Sequence, residues 1–193
     1  GHLGVAPPFV LNGHSMGGYI AFEIVRRYPE LVGGLVLTST RAAADSSDGK
    51  NGRDQAIKLV QENGIESVVE SMLPKLFAQA GFDSESDIVE YTKEVMLETS
   101  PEGMVGALEA MRDRPDSLES LAKIDIPTLI IHGSEDQIVP VSEAEAMNDA
   151  MPNARLYVIP DAGHMPHLEQ PDTYNDVLID FLEEVDEILT KIE

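Results

Sequence analysis

The sequence predicts an α/β protein: a mostly parallel sheet flanked by helices, with a helical segment inserted between strands. Three observations predict it. The apolar run Pro8-Phe9-Val10-Leu11, a helix-like stretch from Met16 to Tyr28 and the buried run Leu35-Val36-Leu37 succeed one another within about 30 residues, the size of a parallel crossover unit. Strand and helix patterns alternate again from Pro127 onward. The stretch from Arg41 to Leu118 carries helical patterns and no strand pattern. At 193 residues the chain suits one domain able to bury a core.

Each element has a local reason. Met16, Ile20, Ala21, Ile24, Val25 and Tyr28 give the first helix a broad apolar face suited to a sheet, and Pro29 stops it. Gly33-Gly34 lead into the second strand. Helices are then predicted over Arg53–Asn63, Ile65–Ala78, Ser84–Glu98 and Pro101–Arg112. Ser84 with Asp87 offers a capping box, and Ser100 a cap before the first-turn proline Pro101. Gly49, Gly52, Gly64, Gly81 and Pro115 punctuate this region, which reads as a lid. Residues Pro127–Gly133 form a third strand. Ser142 with Glu145 opens a helix that Pro152 ends, and Arg155–Ile159 is a fourth strand. Pro171 opens a last helix to about Lys191, apolar at Val177, Leu178, Phe181, Leu182, Val185, Ile188 and Leu189. The expected division is a sheet core at 1–40 and 119–193 and a helical cap at 41–118.

Composition excludes several classes. Apolar residues make up 42%, too many for a disordered chain. No apolar run approaches bilayer length, and no basic start precedes an apolar leader. With no cysteine there is no disulfide framework, thiolate zinc site or thiol nucleophile, and a cytoplasmic location is compatible. The net charge of −22, from 13 basic and 35 acidic residues, repels nucleic acid and anionic lipid. Neither a nucleic acid nor a membrane is therefore an expected partner. No Walker loop, zinc-spaced His/Glu pair or dinucleotide fingerprint appears, so no cofactor or metal is expected.

Asn12-Gly13-His14-Ser15-Met16-Gly17-Gly18 lies between the first strand and the first helix and contains G-x-S-x-G. Such a turn strains its central residue and lifts the serine oxygen clear of the sheet. Glycines two before and two after should let strand and helix approach. The helix N-terminus then presents free N–H groups to an anion beside Ser15. A serine hydroxyl needs a histidine base in contact and a third group to orient it. In parallel sheets such groups lie past the carboxyl ends of strands. The loops there are Gly133–Pro140 and Pro160–His167, which supply Asp136 and His164 in the order Ser15, Asp136, His164. Glu135 competes with Asp136, and His167 with His164, although Gly163 frees the backbone beside His164. His14 and His132 fit local hydrogen-bonding roles, His132 lying too early to reach Ser15, and Asp161 reads as a turn-former.

With FVLNGHSMGG, IPTLIIHGSEDQIVP and IPDAGHMPHLEQP in that order on successive sheet elements, the chain resembles the C-terminal two-thirds of an α/β-hydrolase. The resemblance is nearest to the esterase, lactonase and haloperoxidase-like set, including 3-oxoadipate enol-lactonases. Haloalkane dehalogenases and epoxide hydrolases carry Asp where Ser15 stands. The resemblance implies a serine hydrolase that cleaves a small carboxylic ester or lactone through an acyl-enzyme. In it Ser15 is the nucleophile, His164 the general base, and Asp136 its orienting acid. The Met16 backbone N–H is one oxyanion donor. Two other functions are open: a cofactor-free haloperoxidase or perhydrolase, and a non-catalytic ligand-binding or interaction protein or inactive fragment.

Met104, Leu108 and Met111 recur on one helix, either as cap core or as a flexible apolar wall over an acyl or alcohol pocket. The pocket is expected to draw on His14, Met104, Met111, Val139 and Met165. In the resembling family several strands, and a loop with the second oxyanion donor, precede the elbow; here only Gly1 to Pro8 do. That predicts weak turnover, an uncovered sheet face and an unpaired Phe9–Asn12 edge. The chain is then expected to be a fragment, to be complemented by an N-terminal segment, or to pair as a homo-oligomer through that edge.

Overall fold

The computed structural model describes residues 4, 6–79, 82 and 86–191. Strands β1 (Phe9–His14), β2 (Val32–Thr38), β3 (Thr128–Gly133) and β4 (Ala154–Ile159) form one parallel sheet in the order β1-β2-β3-β4. Helix α1 (Met16–Arg27) and a 3-10 turn (Pro29–Leu31) link β1 to β2. Between β2 and β3 come α2 (Ser47–Asn63), α3 (Ile65–Leu76), α4 (Asp87–Leu97), α5 (Pro101–Asp113) and the short α6 (Leu118–Leu121). Helix α7 (Val141–Ala150) links β3 to β4, and α8 (Pro166–Glu169) and α9 (Pro171–Thr190) follow. No helix among the described residues is long and apolar enough to cross a membrane.

Alternation along the buried strands sorts the core into two layers. Leu35, Leu37 and Ile130 face α1, α6 and α7, meeting Phe22, Val25, Leu121 and Met147. Val36, Leu129 and Ile131 face the opposite side, where Tyr174, Phe181 and Val185 of α9 cover them. The sheet face expected to be uncovered is therefore occupied by α9, and Val10 of β1 packs against that layer too. Strand β1 lies at one edge of the sheet. Helices α2, α3 and α5 build their own cluster around Ile57, Val60, Val68 and Leu108. A second cluster, around Leu73, Leu76, Phe77 and Val89, takes in Ile138 and Met165 from the loops past β3 and β4. That contact seats the inserted helices on the sheet's carboxyl rim.

Three helix starts differ from expectation for local reasons. Helix α2 starts at Ser47 rather than Arg53, because Ser46 Oγ accepts the Gly49 N–H at 3.1 Å and Arg53 is anchored to Asp45. Gly49 and Gly52 are thus carried inside a helix that capping and tertiary contacts hold. Helix α7 starts at Val141, with Pro140 as its N-cap, so Ser142 and Glu145 form no box. Helix α4 starts at Asp87; Ser84 and Gly81 lie outside the described residues. Ser100 caps α5 as predicted, its Oγ accepting the Gly103 N–H at 3.0 Å.

Candidate active site

Parallel register brings the ends of the strands to one rim: His14 pairs with Thr38, Thr38 with Ile131, and Gly133 with Ile159. Ser15 follows β1 at φ 51°, ψ −115°, a left-handed backbone that costs a non-glycine residue about 1–3 kcal/mol. Tertiary bonds hold it there. Its N–H donates to the Thr38 carbonyl at 2.8 Å, and its carbonyl accepts Thr40 Oγ1 at 2.7 Å. A Cβ on Gly13 would stand 2.5 Å from the Gly17 carbonyl, so that glycine is required. Gly17 has open space at its Cβ position. The second close approach is made by Gly18, against the Thr40 side chain, and the expected role of Gly17 passes to its neighbour.

His164 lies between two partners. Its Nδ1 is 2.8 Å from Asp136 Oδ2 and its Nε2 is 2.9 Å from Ser15 Oγ. A carboxylate accepts only, so Nδ1 carries the proton and Nε2 offers its lone pair to the serine hydroxyl. The imidazole is 3% exposed and the Asp136 carboxylate 0%. Asp136 Oδ1 accepts the N–H groups of Ile138 at 2.8 Å and Val139 at 2.9 Å. Burial alone would raise the Asp136 pKa, but the His164 N–H and these amides outweigh it, so the carboxyl stays below its ordinary range. Glu135 gives only its N–H to Ala162 in this loop, while Asp136 reaches the imidazole.

The remaining histidines buttress this chain of bonds. His14 Nε2 donates to the His164 carbonyl at 2.8 Å, and its ring lies 5.1 Å from that of His164. His167 packs edge-on to His14 and Tyr174. Burial and the neighbouring His164 push the His14 pKa down to about 4 and lower that of His167. His132, fully buried, sits behind Asp136. Asp161, at φ 55°, is the turn residue expected of it.

The residues expected to line a pocket divide. Met111 lines a cavity of about 740 Å³ that runs along α1 from Met16 to Arg27 beneath α5. Met104 packs on the Ile57 and Leu108 cluster inside the inserted helices, the core reading of that stripe. Val139 is buried at 2%, and its carbonyl accepts from His132. Met165 packs on Leu76 and Phe77. His14 lies against His164.

Three contributors were not anticipated. Glu169 accepts the N–H groups of Gly163 at 2.8 Å, Met165 at 3.3 Å and Ala78 at 2.7 Å, tying the histidine loop to the end of α3. Burial raises its pKa despite these bonds. Thr40 props the serine carbonyl. Asp45, its side chain 0% exposed, is bonded by Arg41, by Arg53 at 3.1 Å and by Arg114 at 2.9 Å. Arg41 and Arg114 also line the cavity, and the Arg114 guanidinium stacks 4.0 Å over Tyr19. The available signal for this cluster is scarcity: cations are rare in so acidic a chain. Among the described residues no group of three His, Asp or Glu side chains is placed to hold a metal ion.

A family model described as the alpha/beta hydrolase fold matches residues 2–171. The chain belongs to the α/β-hydrolase family. Among its α/β-hydrolase relatives, 3-oxoadipate enol-lactonase 1 of Acinetobacter baylyi is 30% identical over 179 residues, covering 90% of this chain and 63% of the relative. The pimeloyl-[acyl-carrier protein] methyl ester esterase of Yersinia enterocolitica is 29% identical, covering 89% and 68%. In structure, the chain is similar to a thermophilic esterase from Thermogutta terrifontis solved with malate bound. There the TM-score is 0.90 at 38% identity, covering 95% of this chain and 68% of the other. The chain thus spans about two thirds of the length of the α/β-hydrolases it matches.

Proposed function

We propose that the chain carries the catalytic triad of a serine hydrolase that cleaves a small carboxylic ester or lactone through an acyl-enzyme. The observation that supports this most is the placement of the His164 imidazole, within hydrogen-bond reach of both the Ser15 hydroxyl and the Asp136 carboxylate. Relatives with esterase and lactonase names support the same reaction class.

In this mechanism Ser15 Oγ attacks the carbonyl carbon as His164 Nε2 takes its proton. Asp136 holds the ring through Nδ1 and stabilises the cation that forms. The oxyanion develops at the N-terminus of α1, where Met16 is the first helical residue and its N–H has no intrahelical acceptor. His164 then gives its proton to the departing alkoxide, and the ester becomes Ser15 acyl-enzyme plus alcohol. Water, deprotonated by the same nitrogen, releases the acid and restores the serine. For a lactone, alcohol and acid remain one molecule.

The arginines narrow the substrate class. Arg41 and Arg114 line a cavity whose wall starts at Met16, and with Arg26 and Arg27 they outnumber its two lining carboxylates, Glu23 and Asp113, four to two. A substrate bearing a carboxylate of its own fits that surplus. Malate in the related esterase is an anion of the same kind.

A fluorophosphonate tests the triad. Stoichiometric labelling at Ser15, lost in Ser15→Ala and in His164→Ala, is the expected result. A folded chain that takes up no label, alone or mixed with a segment supplied in trans, would reject the reading.

A further inference from the structure

The middle of strand β3 is apolar: Leu129, Ile130 and Ile131 are each 0% exposed. His132, also 0% exposed, breaks that run with a polar ring. Its Nε2 lies 2.8 Å from the Val139 carbonyl and 3.4 Å from Asp136 Oδ2. Both neighbours accept hydrogen bonds and neither donates. Its Nδ1 is buried with no hydrogen-bond partner among the described residues. An unpaired buried polar atom costs about 1–3 kcal/mol, so an apolar residue of similar shape would serve the core better. The polar ring is therefore kept for what its Nε2 does.

We propose that His132 is a positioning residue for the triad, a neutral imidazole whose Nε2–H steadies the Asp136 carboxylate at the same oxygen, Oδ2, that His164 holds. This rests on the triad reading for its catalytic meaning and on the geometry for its chemistry. The tautomer follows from the contacts. A proton on Nδ1 would leave the Nε2 lone pair facing two acceptors, and a doubly protonated ring would leave a donor at Nδ1 without an acceptor. Burial lowers the His132 pKa in the same sense.

Two consequences follow for Asp136. Its loop is closed on both sides: Oδ1 takes the amides of Ile138 and Val139, while the Val139 carbonyl is held by His132. Oδ2 is shared between His164 Nδ1 and the His132 N–H dipole, so His132 draws off part of the field that Asp136 exerts on His164. The other titratable groups facing His164 are His14 on β1 and His167 on α8, both neutral near pH 7, with Glu169 of α8 acting on Asp136. None of them touches the carboxylate oxygens.

The test uses the whole chain, uniformly labelled with ¹⁵N, and the variants His132→Gln, which keeps a donor near the Nε2 position, and His132→Phe, which has none. Ring nitrogen shifts should report His132 as the neutral Nε2–H form from pH 7 to pH 9. A cationic ring or an Nδ1–H form in that range overturns the proposal without touching the triad reading. The downfield His164 Nδ1–H resonance should move in His132→Phe and return towards its original place in His132→Gln. The pH midpoint for fluorophosphonate capture by Ser15 should rise in His132→Phe by roughly half a pH unit, because the full Asp136 field then favours the imidazolium. His132→Gln should restore it. An unmoved resonance and midpoint in a folded His132→Phe, or in His132→Leu if the phenylalanine is too large to fold, overturns the proposal. Failure of wild-type Ser15 to react, with the His132 tautomer and the His164 resonance behaving as stated, counts against the triad reading alone.

Discussion

Gly163 lies directly against Ala78: a Cβ at position 163 would stand 2.5 Å from the Ala78 nitrogen and 2.5 Å from the Phe77 carbonyl carbon. Glu169 clasps the same two residues, one carboxylate oxygen accepting each N–H. The residue before His164 is thus locked to the end of α3, and the His164 N–H donates to the Leu76 carbonyl at 3.0 Å. Backbone atoms cannot yield as a flexible side chain does. We expect Gly163→Ala to destabilise the fold by at least about 2 kcal/mol and to cut Ser15 labelling at least tenfold. Gly17→Ala, with open space and a helical position, should be neutral or stabilising by up to about 1 kcal/mol. Thermal unfolding of the two variants decides whether packing or the motif letter governs each glycine.

Acid should destabilise the protein through His14 in a defined window. Burial, aided by His164, lowers its folded pKa from 6.5 to about 4, so the folded state keeps the ring neutral while the unfolded chain takes a proton. Stability from this group is complete above pH 6.5 and is lost as pH falls from there to about 4, by roughly 3 kcal/mol if the full shift is realised. Denaturant titrations between pH 4 and pH 7 should show that slope, and His14→Gln should flatten it. Equal slopes in both proteins would count against a neutral His14 in the folded state.

The arginine cluster should read substrate charge. A monoester of a dicarboxylic acid should be turned over in preference to the neutral ester of the same chain length, and added salt should narrow the gap. Arg41→Gln should raise KM for the acidic ester about tenfold, roughly 1.4 kcal/mol, and leave the neutral ester nearly unchanged. Arg114 is less suitable because its guanidinium also bonds the Met111 and Ala43 carbonyls. Parallel losses on both esters would place Arg41 in folding rather than recognition.

Among the described residues β1 is an edge strand, and we propose that a second copy pairs along it through Phe9–Asn12. Light scattering across a hundredfold concentration range should show a monomer–dimer equilibrium that Leu11→Pro weakens. A monomer at every concentration would remove this proposal.

Local patterns in the chain were enough for the sheet and its elements. Apolar runs at Leu35–Leu37 and Leu129–Ile131, punctuation by Pro29 and Pro171, and the Ser100 cap act over a few residues, so a linear reading recovers them. The chain order of Ser15, Asp136 and His164 was legible for the same reason: parallel strands send their following loops to one rim. What the line of residues left open was settled by direction in space. Asp136 rather than Glu135 meets the imidazole because the turn after Gly133 aims one side chain inward. Helix α9 closes the face that the sequence alone left bare. Glu169, Thr40, His132 and the arginines around Asp45 act across gaps of 4 to 91 residues in the chain. The longer of those gaps lie beyond the reach of helical or strand periodicity, and only tertiary packing brings the groups together.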